Sequence, residues 1–169
     1  MKRLFFLMFL LLALFGCNFP DRPTTDAAIQ AFSFRHSGMS TEEIYTYSVR
    51  KDGGRYLADF DLFCQFEFHD VPLEDEDAAA LKTLMDEYSL REWNGFAKSN
   101  SFVLDGESFG LSAAFADGKT LQASGNNAFP RGYHEGAAAI KRFFAEIMDK
   151  HGIDPWEDDS ASMKGRTKP

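Results

Sequence analysis

Only two cysteines, Cys17 and Cys64, occur among 169 residues. At most one disulfide is available, so a cysteine-stapled scaffold is excluded. No run of Lys and Arg breaks an acidic background of net charge −8, and the electrostatic footprint of nucleic-acid binding is absent. The same charge disfavours a domain lying flat on anionic lipid. The four histidines, His36, His69, His134 and His151, show no H-x-H or H-E-x-x-H spacing. A metal site would need them to converge from separate elements, and none is expected. Neither a P-loop nor a dinucleotide fingerprint occurs. No catalytic residue, metal or cofactor is assigned.

What is present is a globular composition. Hydrophobic residues make up 44% and charged residues 26%, and the aromatic share of 15% is carried by 18 Phe. Four of those Phe lie in the first sixteen residues, which leaves fourteen to fill a core. The remaining chain, about 150 residues, is sized for one domain with one core.

Met1-Lys2-Arg3 supplies a short positive start, and Leu4 through Phe15 is an unbroken apolar run. That run suits an export signal and falls short of the ~20 residues needed to span a bilayer. It ends in Leu14-Phe15-Gly16-Cys17, which resembles the lipobox of bacterial lipoproteins, where a small residue precedes the modified Cys. The resemblance implies diacylglycerol on the Cys17 thiol and cleavage before it. Two or more acyl chains hold a protein stably at a membrane, whereas one does so only marginally. Residues 1–16 are thus read as a signal peptide and 17–27 as a lipidated tether, stiffened by Pro20 and Pro23. Losing Lys2 and Arg3 takes the net charge from −8 to −10. An ordinary secretory signal and an uncleaved membrane helix are the competing readings. Asn18 in place of Asp resembles the pattern of lipoproteins passed to the outer membrane in enteric-type bacteria. The implied location is the bacterial cell envelope, on the periplasmic side of the outer membrane if the source is Gram-negative. The implied partner is the lipid bilayer. With Cys17 acylated, Cys64 has no partner within the chain. It falls in the apolar register of a strand, where a buried, inert thiol is expected.

Residues 28–155 read as a single α+β domain, and 156–169 as a polar, disordered tail. Phe32 and Phe34 alternate with polar residues, as do Tyr45, Tyr47 and Val49. The longest alternation is Tyr56, Ala58, Phe60, Leu62, Cys64, Phe66 and Phe68, which predicts one half-buried strand. A two-residue Asp52-Gly53 loop would pair Val49 with Tyr56, Tyr47 with Ala58 and Tyr45 with Phe60, all on one face. For the second hairpin, phase requires a three-residue loop, Ala116-Asp117-Gly118, pairing Ala113 with Leu121 and Leu111 with Ala123. Leu81, Leu84, Met85 and Tyr88 predict a helix over about Glu74–Ser89. Ala138, Ile140, Phe143, Phe144, Ile147 and Met148 predict another over about Glu135–Lys150, ended by Gly152 and Pro155. The expected architecture is an antiparallel sheet of two hairpins plus an N-terminal strand, with two amphipathic helices packed on one face.

Few residues point to chemistry. Asp59 and Asp61 share a strand face with Glu67, and paired carboxylates can run glycoside hydrolysis if a cleft splits their pKa values. A solvated strand face is the plainer reading. Glu74-Asp75-Glu76-Asp77 lacks the spaced ligands of a calcium loop and suits a helix start, where the macrodipole favours acids. Phe63 interrupts the polar outer face of the long strand and marks a point something should cover. The most unusual stretch is Gly125 to Tyr133, whose Asn, Gly and Pro residues and aromatics suit either ligand binding or a pinned connection.

The segments Trp93-Asn94-Gly95-Phe96, Leu104-Asp105-Gly106-Glu107-Ser108-Phe109 and Ala123-Ser124-Gly125-Asn126-Asn127-Ala128-Phe129-Pro130 resemble a signature of a family of uncharacterised bacterial lipoproteins. The resemblance implies that the three segments sit together and carries over no activity. The expected function is a non-enzymatic envelope module that binds an envelope protein or small ligand through Trp93, Asn126, Asn127 and Tyr133. The alternative is an envelope hydrolase of cell-wall or glycan material using Asp59, Asp61 or Asp105. A third reading is a structural lipoprotein with Phe63 at a protein interface.

Overall fold

Segments whose side chains alternate in polarity bury one face as strands, and here they assemble into one large sheet. The computed structural model describes residues 26–102 and 106–155. The leader, Cys17, the tether up to residue 25, Asp105 and the segment 156–169 lie outside the described residues. The described residues are α+β, with seven strands, mostly antiparallel, and two α-helices. The strands are β1 (Ile29–Ser37), β2 (Tyr45–Asp52), β3 (Arg55–Leu62), β4 (Phe66–Leu73), β5 (Ala97–Ser99), β6 (Ser108–Phe115) and β7 (Thr120–Asn126). Their spatial order is β4-β3-β2-β1-β6-β7-β5, and only β5 runs parallel to its neighbour. Five strands were expected. The first of them, β1, lies at the centre of the sheet between β2 and β6.

The turn between β2 and β3 is Gly53-Gly54, at φ 54° and 87°. Glycine adopts two successive positive φ values without a Cβ penalty, and the twist of such a turn matches that of the strands. The expected Asp52-Gly53 loop would have placed an Asp there instead. The register accordingly moves by two residues: Val49 faces Ala58, Tyr47 faces Phe60 and Tyr45 faces Leu62. A shift of two leaves every side chain on its expected face. Between β6 and β7, Leu111 faces Ala123 and Ala113 faces Leu121, the pairing that phase predicts. Gly118 closes that three-residue loop at φ 80°.

The expected long strand is instead a hairpin. Leu62 faces Phe66 across a turn in which Phe63 and Cys64 take φ 60° and 55°. Left-handed backbone costs a non-glycine residue roughly 1 kcal/mol or more. Here Phe63 N donates to Ile44 O at 2.7 Å, and the Phe63 ring meets the Phe66 ring edge-on at 6.4 Å. Phe63 is therefore half-buried in a turn rather than outward on a strand, and Cys64 is exposed rather than buried.

Helix α1 (Asp75–Glu87) begins where the Asp77 carboxylate accepts the Glu74 N–H at 2.9 Å. Helix α2 (Tyr133–Lys150) starts two residues before the expected Glu135. Lys150 near its end reaches Glu74 at 3.0 Å and Asp77 at 3.1 Å. Phe144 of α2 lies 4.6 Å from the Tyr47 ring, 5.9 Å from Phe60 and 6.1 Å from Phe32, joining three strands to one helix. Burying each such ring stabilises the fold by about 2–3 kcal/mol. Leu81 and Met85 of α1 belong to the same core. Among the described residues, no helix is long and apolar enough to cross a membrane.

Candidate functional site

The loop after β7 is built from backbone needs, and it consumes the side chains that marked it. Asn127 sits at φ 50°, a conformation Asn tolerates better than most residues. Its N–H donates to Glu107 O at 2.8 Å, and its Oδ1 accepts the Glu107 N–H at 2.9 Å. Its Nδ2 donates to Asn126 Oδ1 at 3.0 Å. Asn127 is thus a clamp between the loop and the start of β6, and Asn126 is exposed beside it. A Cβ on Gly125 would fall 2.0 Å from Ala128 O, so the close backbone approach explains that glycine.

The aromatic residues turn inward. Trp93 is 2% exposed, and its indole Nε1 donates to Arg131 O at 3.2 Å. Tyr133 is also 2% exposed, with its ring 5.6 Å from Trp93 and 4.5 Å from Phe129. The structure therefore brings Trp93 to Tyr133 and Asn126 to Asn127, but the two aromatics offer a ligand almost no surface. Described residues of the three singled-out segments meet: Ser124 N donates to Phe96 O, and Phe109 contacts Trp93, Phe96 and Phe129, while Leu104 and Asp105 lie outside the described residues.

Tyr133 also reaches the end of β1, where its phenol lies 2.8 Å from His36 Nδ1. Burial holds the His36 imidazole below its usual pKa, against the pull of Glu107 and Glu43. Burial pushes the Tyr133 phenol well above its ordinary range and Tyr45 up to about 12, so both stay protonated at neutral pH. This cluster is a hydrogen-bonded packing element at one end of the sheet.

Of the candidate carboxylates, Asp59 is engaged in structure, and Asp105 lies outside the described residues. Strand β4 bulges opposite Asp59, Asp70 takes φ 59°, and the freed Asp70 N–H donates to Asp59 Oδ1 at 2.9 Å. The Arg50 guanidinium donates to both Asp59 and Asp70, and Ser48 Oγ adds a contact to Asp59 at 3.4 Å. Asp61 is exposed on the same face, with Thr46 and Glu67 as its cross-strand neighbours. Among the described residues, no group of three or more His, Cys, Asp and Glu is placed to hold a metal ion.

The residues left over line the sheet face opposite to Phe32, Phe34 and Leu111. Cross-strand pairing sets Gln122, Ser112, Ser33, Ser48 and Asp59 in one row over five strands. A second row runs Ser124, Gly110, Arg35 and Thr46. Two adjoining depressions follow these rows. One of about 450 Å³ is lined by Arg35, Gly95, Gly110 and Ser124, and one of about 370 Å³ by Ala31, Ser48, Arg50 and Asp59. Ser33, Ser112 and Gln122 border both, so the two form a continuous trough. Sequence reasoning passed over these residues because small polar side chains at alternate strand positions read as plain solvated surface. The available signal was Gly110, a glycine in the middle of a strand with no turn to make. No family model matches the chain, and no curated protein matches it either.

Proposed function

We propose that this protein is a lipoprotein of the bacterial envelope, anchored through acyl chains on Cys17, whose domain is a binding module. The leader and Leu14-Phe15-Gly16-Cys17 support the anchor. The trough on the open sheet face supports the binding role, and it replaces the Asn126–Tyr133 loop as the binding surface. This reading takes α1 and α2 to cover one face of the sheet and leave the other free. Leu81, Met85, Ile140 and Phe144 share one core with the inward residues of the strands, which fits that arrangement.

Gly110 is the observation that carries the binding role. A strand-interior glycine weakens a strand and otherwise marks a bulge, a bend or a close approach. Gly110 keeps regular register with Arg35 and Ser124, and a Cβ there would meet nothing within 4 Å. Nothing in the described chain requires the side chain to be absent, whereas an occupant of the trough would. The hydrolase alternative gains no support from Asp59, whose carboxylate is taken up by Arg50 and Asp70.

Two experiments test the reading. Cys17→Ser should abolish lipid labelling with palmitate and release the protein from membranes; processing and retention unchanged in that variant reject the anchor. A thiol placed at Ser112 in a Cys64→Ser background should label more slowly in intact envelopes than in purified protein. Labelling at Lys119, on the hairpin tip, should not differ. Equal rates at both positions reject the trough as an occupied surface.

A further inference from the structure

We propose that the trough takes a hydroxyl-rich monocarboxylate, a sugar acid, with its carboxylate on Arg35 and its hydroxyls on Ser33, Ser112, Ser124 and Gln122. The inference rests on the open face being the binding surface. In a chain of net charge −8, Arg35 is the one charged side chain lining the larger depression. It is exposed and makes no ion pair among the described residues, whereas Arg50, on the adjoining depression, is engaged by Asp59 and Asp70. A guanidinium presents a planar fork of donors that fits a carboxylate with two parallel hydrogen bonds.

The number of charges selects the anion. Arg35 alone offers one positive charge, and beyond it on the same face lie Asp59, Asp61 and Glu67. A dianion or a polyanion spread along the trough would meet those carboxylates, and one carboxylate held at Arg35 would not. The rest of the floor is neutral. Serine hydroxyls and the glutamine amide both donate and accept, which matches sugar hydroxyls that do the same. Gly110, the cross-strand neighbour of Arg35, leaves room beside the guanidinium. The volumes of about 450 and 370 Å³ suit one or two sugar rings.

The test is calorimetric titration of the full-length acylated protein in detergent micelles. The probes are galacturonate, which carries one carboxylate, and neutral galactose. Saturable binding of galacturonate is expected, weakened about tenfold or more by Arg35→Gln and by use of the neutral probe. Gly110→Trp, whose Cβ has open space, should abolish it, and Ser112→Leu serves if that variant fails to fold. No saturable binding of galacturonate up to about 10 mM overturns the inference. Equal affinity for both probes, lost in Gly110→Trp, overturns the carboxylate assignment and leaves the trough reading standing. Binding unchanged in Gly110→Trp puts the sugar elsewhere and overturns both.

Discussion

His36 Nδ1 and the Tyr133 phenol, 97 positions apart in the chain, lie 2.8 Å from each other and tie the end of β1 to the first turn of α2. Burial keeps the imidazole pKa below 6.5, with Lys141 and His134 adding to the depression and Glu107 and Glu43 opposing it. In the unfolded chain the same group protonates near 6.5, so between the two pKa values the unfolded state binds more protons. The contribution is fully present above about pH 6.5 and is lost as pH falls toward the folded value. Wild-type stability relative to His36→Phe, which cannot titrate there, should therefore fall between about pH 7.5 and pH 5.5. Denaturant melts at both pH values measure it, and a constant difference contradicts the assignment.

Arg91 is 8% exposed, with its Nε on Asp86 and its guanidinium 4.4 Å from the Phe115 ring centre. Its two terminal nitrogens have no hydrogen-bond partner within the described protein. A buried cation so weakly compensated adds little net stability, but removing its one carboxylate leaves it bare. Arg91→Met should thus change stability by less than about 1 kcal/mol. Asp86→Ala should cost roughly 2 kcal/mol, reduced from fully buried cases because Asp86 is partly exposed. Chemical denaturation of the two variants should rank them in that order.

Asn127 separates structural from binding roles in the loop. Asn127→Ala removes the bond to Glu107 N and places alanine at φ 50°, at a cost of about 2 kcal/mol. Asn127→Gly loses only the side-chain bonds, at roughly 1 kcal/mol, and Asn126→Ala should be near neutral. An Asn126→Ala loss as large as that of Asn127→Ala would show that the clamp is wrongly assigned.

Cys64 should react with a maleimide in folded, full-length protein without denaturant, because its turn is exposed. With Cys17 acylated, one thiol per chain is expected to titrate. Two titrating thiols would remove the basis for the anchor, and a thiol that appears only on unfolding would contradict the turn.

Local pattern carried the strands and helices a long way. The period of two in Tyr45-Tyr47-Val49 and in Leu111-Ala113-Phe115 placed those side chains on the buried face. The three-residue loop at Gly118 followed from phase alone. The hairpin at Phe63-Cys64 was hidden because the alternation of Leu62, Cys64 and Phe66 continues through the turn. No Gly, Pro or Asn announces it, and the positive φ values are held by partners such as Ile44 and Phe66. Trp93 and Tyr133 read as binding-surface aromatics in the sequence and are both buried in the structure, since an aromatic ring serves a surface or a core until its neighbours are known.

From the chain alone came the proposal of an export leader with an acylated Cys17, the α+β class and the buried faces of β1, β2, β3, β6 and β7. These follow from composition and short-range periodicity, which act within a few residues. Only the tertiary structure put β1 in the middle of the sheet, set Arg35 beside Gly110 and joined Ser33, Ser112 and Gln122 into one trough. Strand neighbours far apart in sequence are chosen by how the whole core packs, and no local preference encodes that choice.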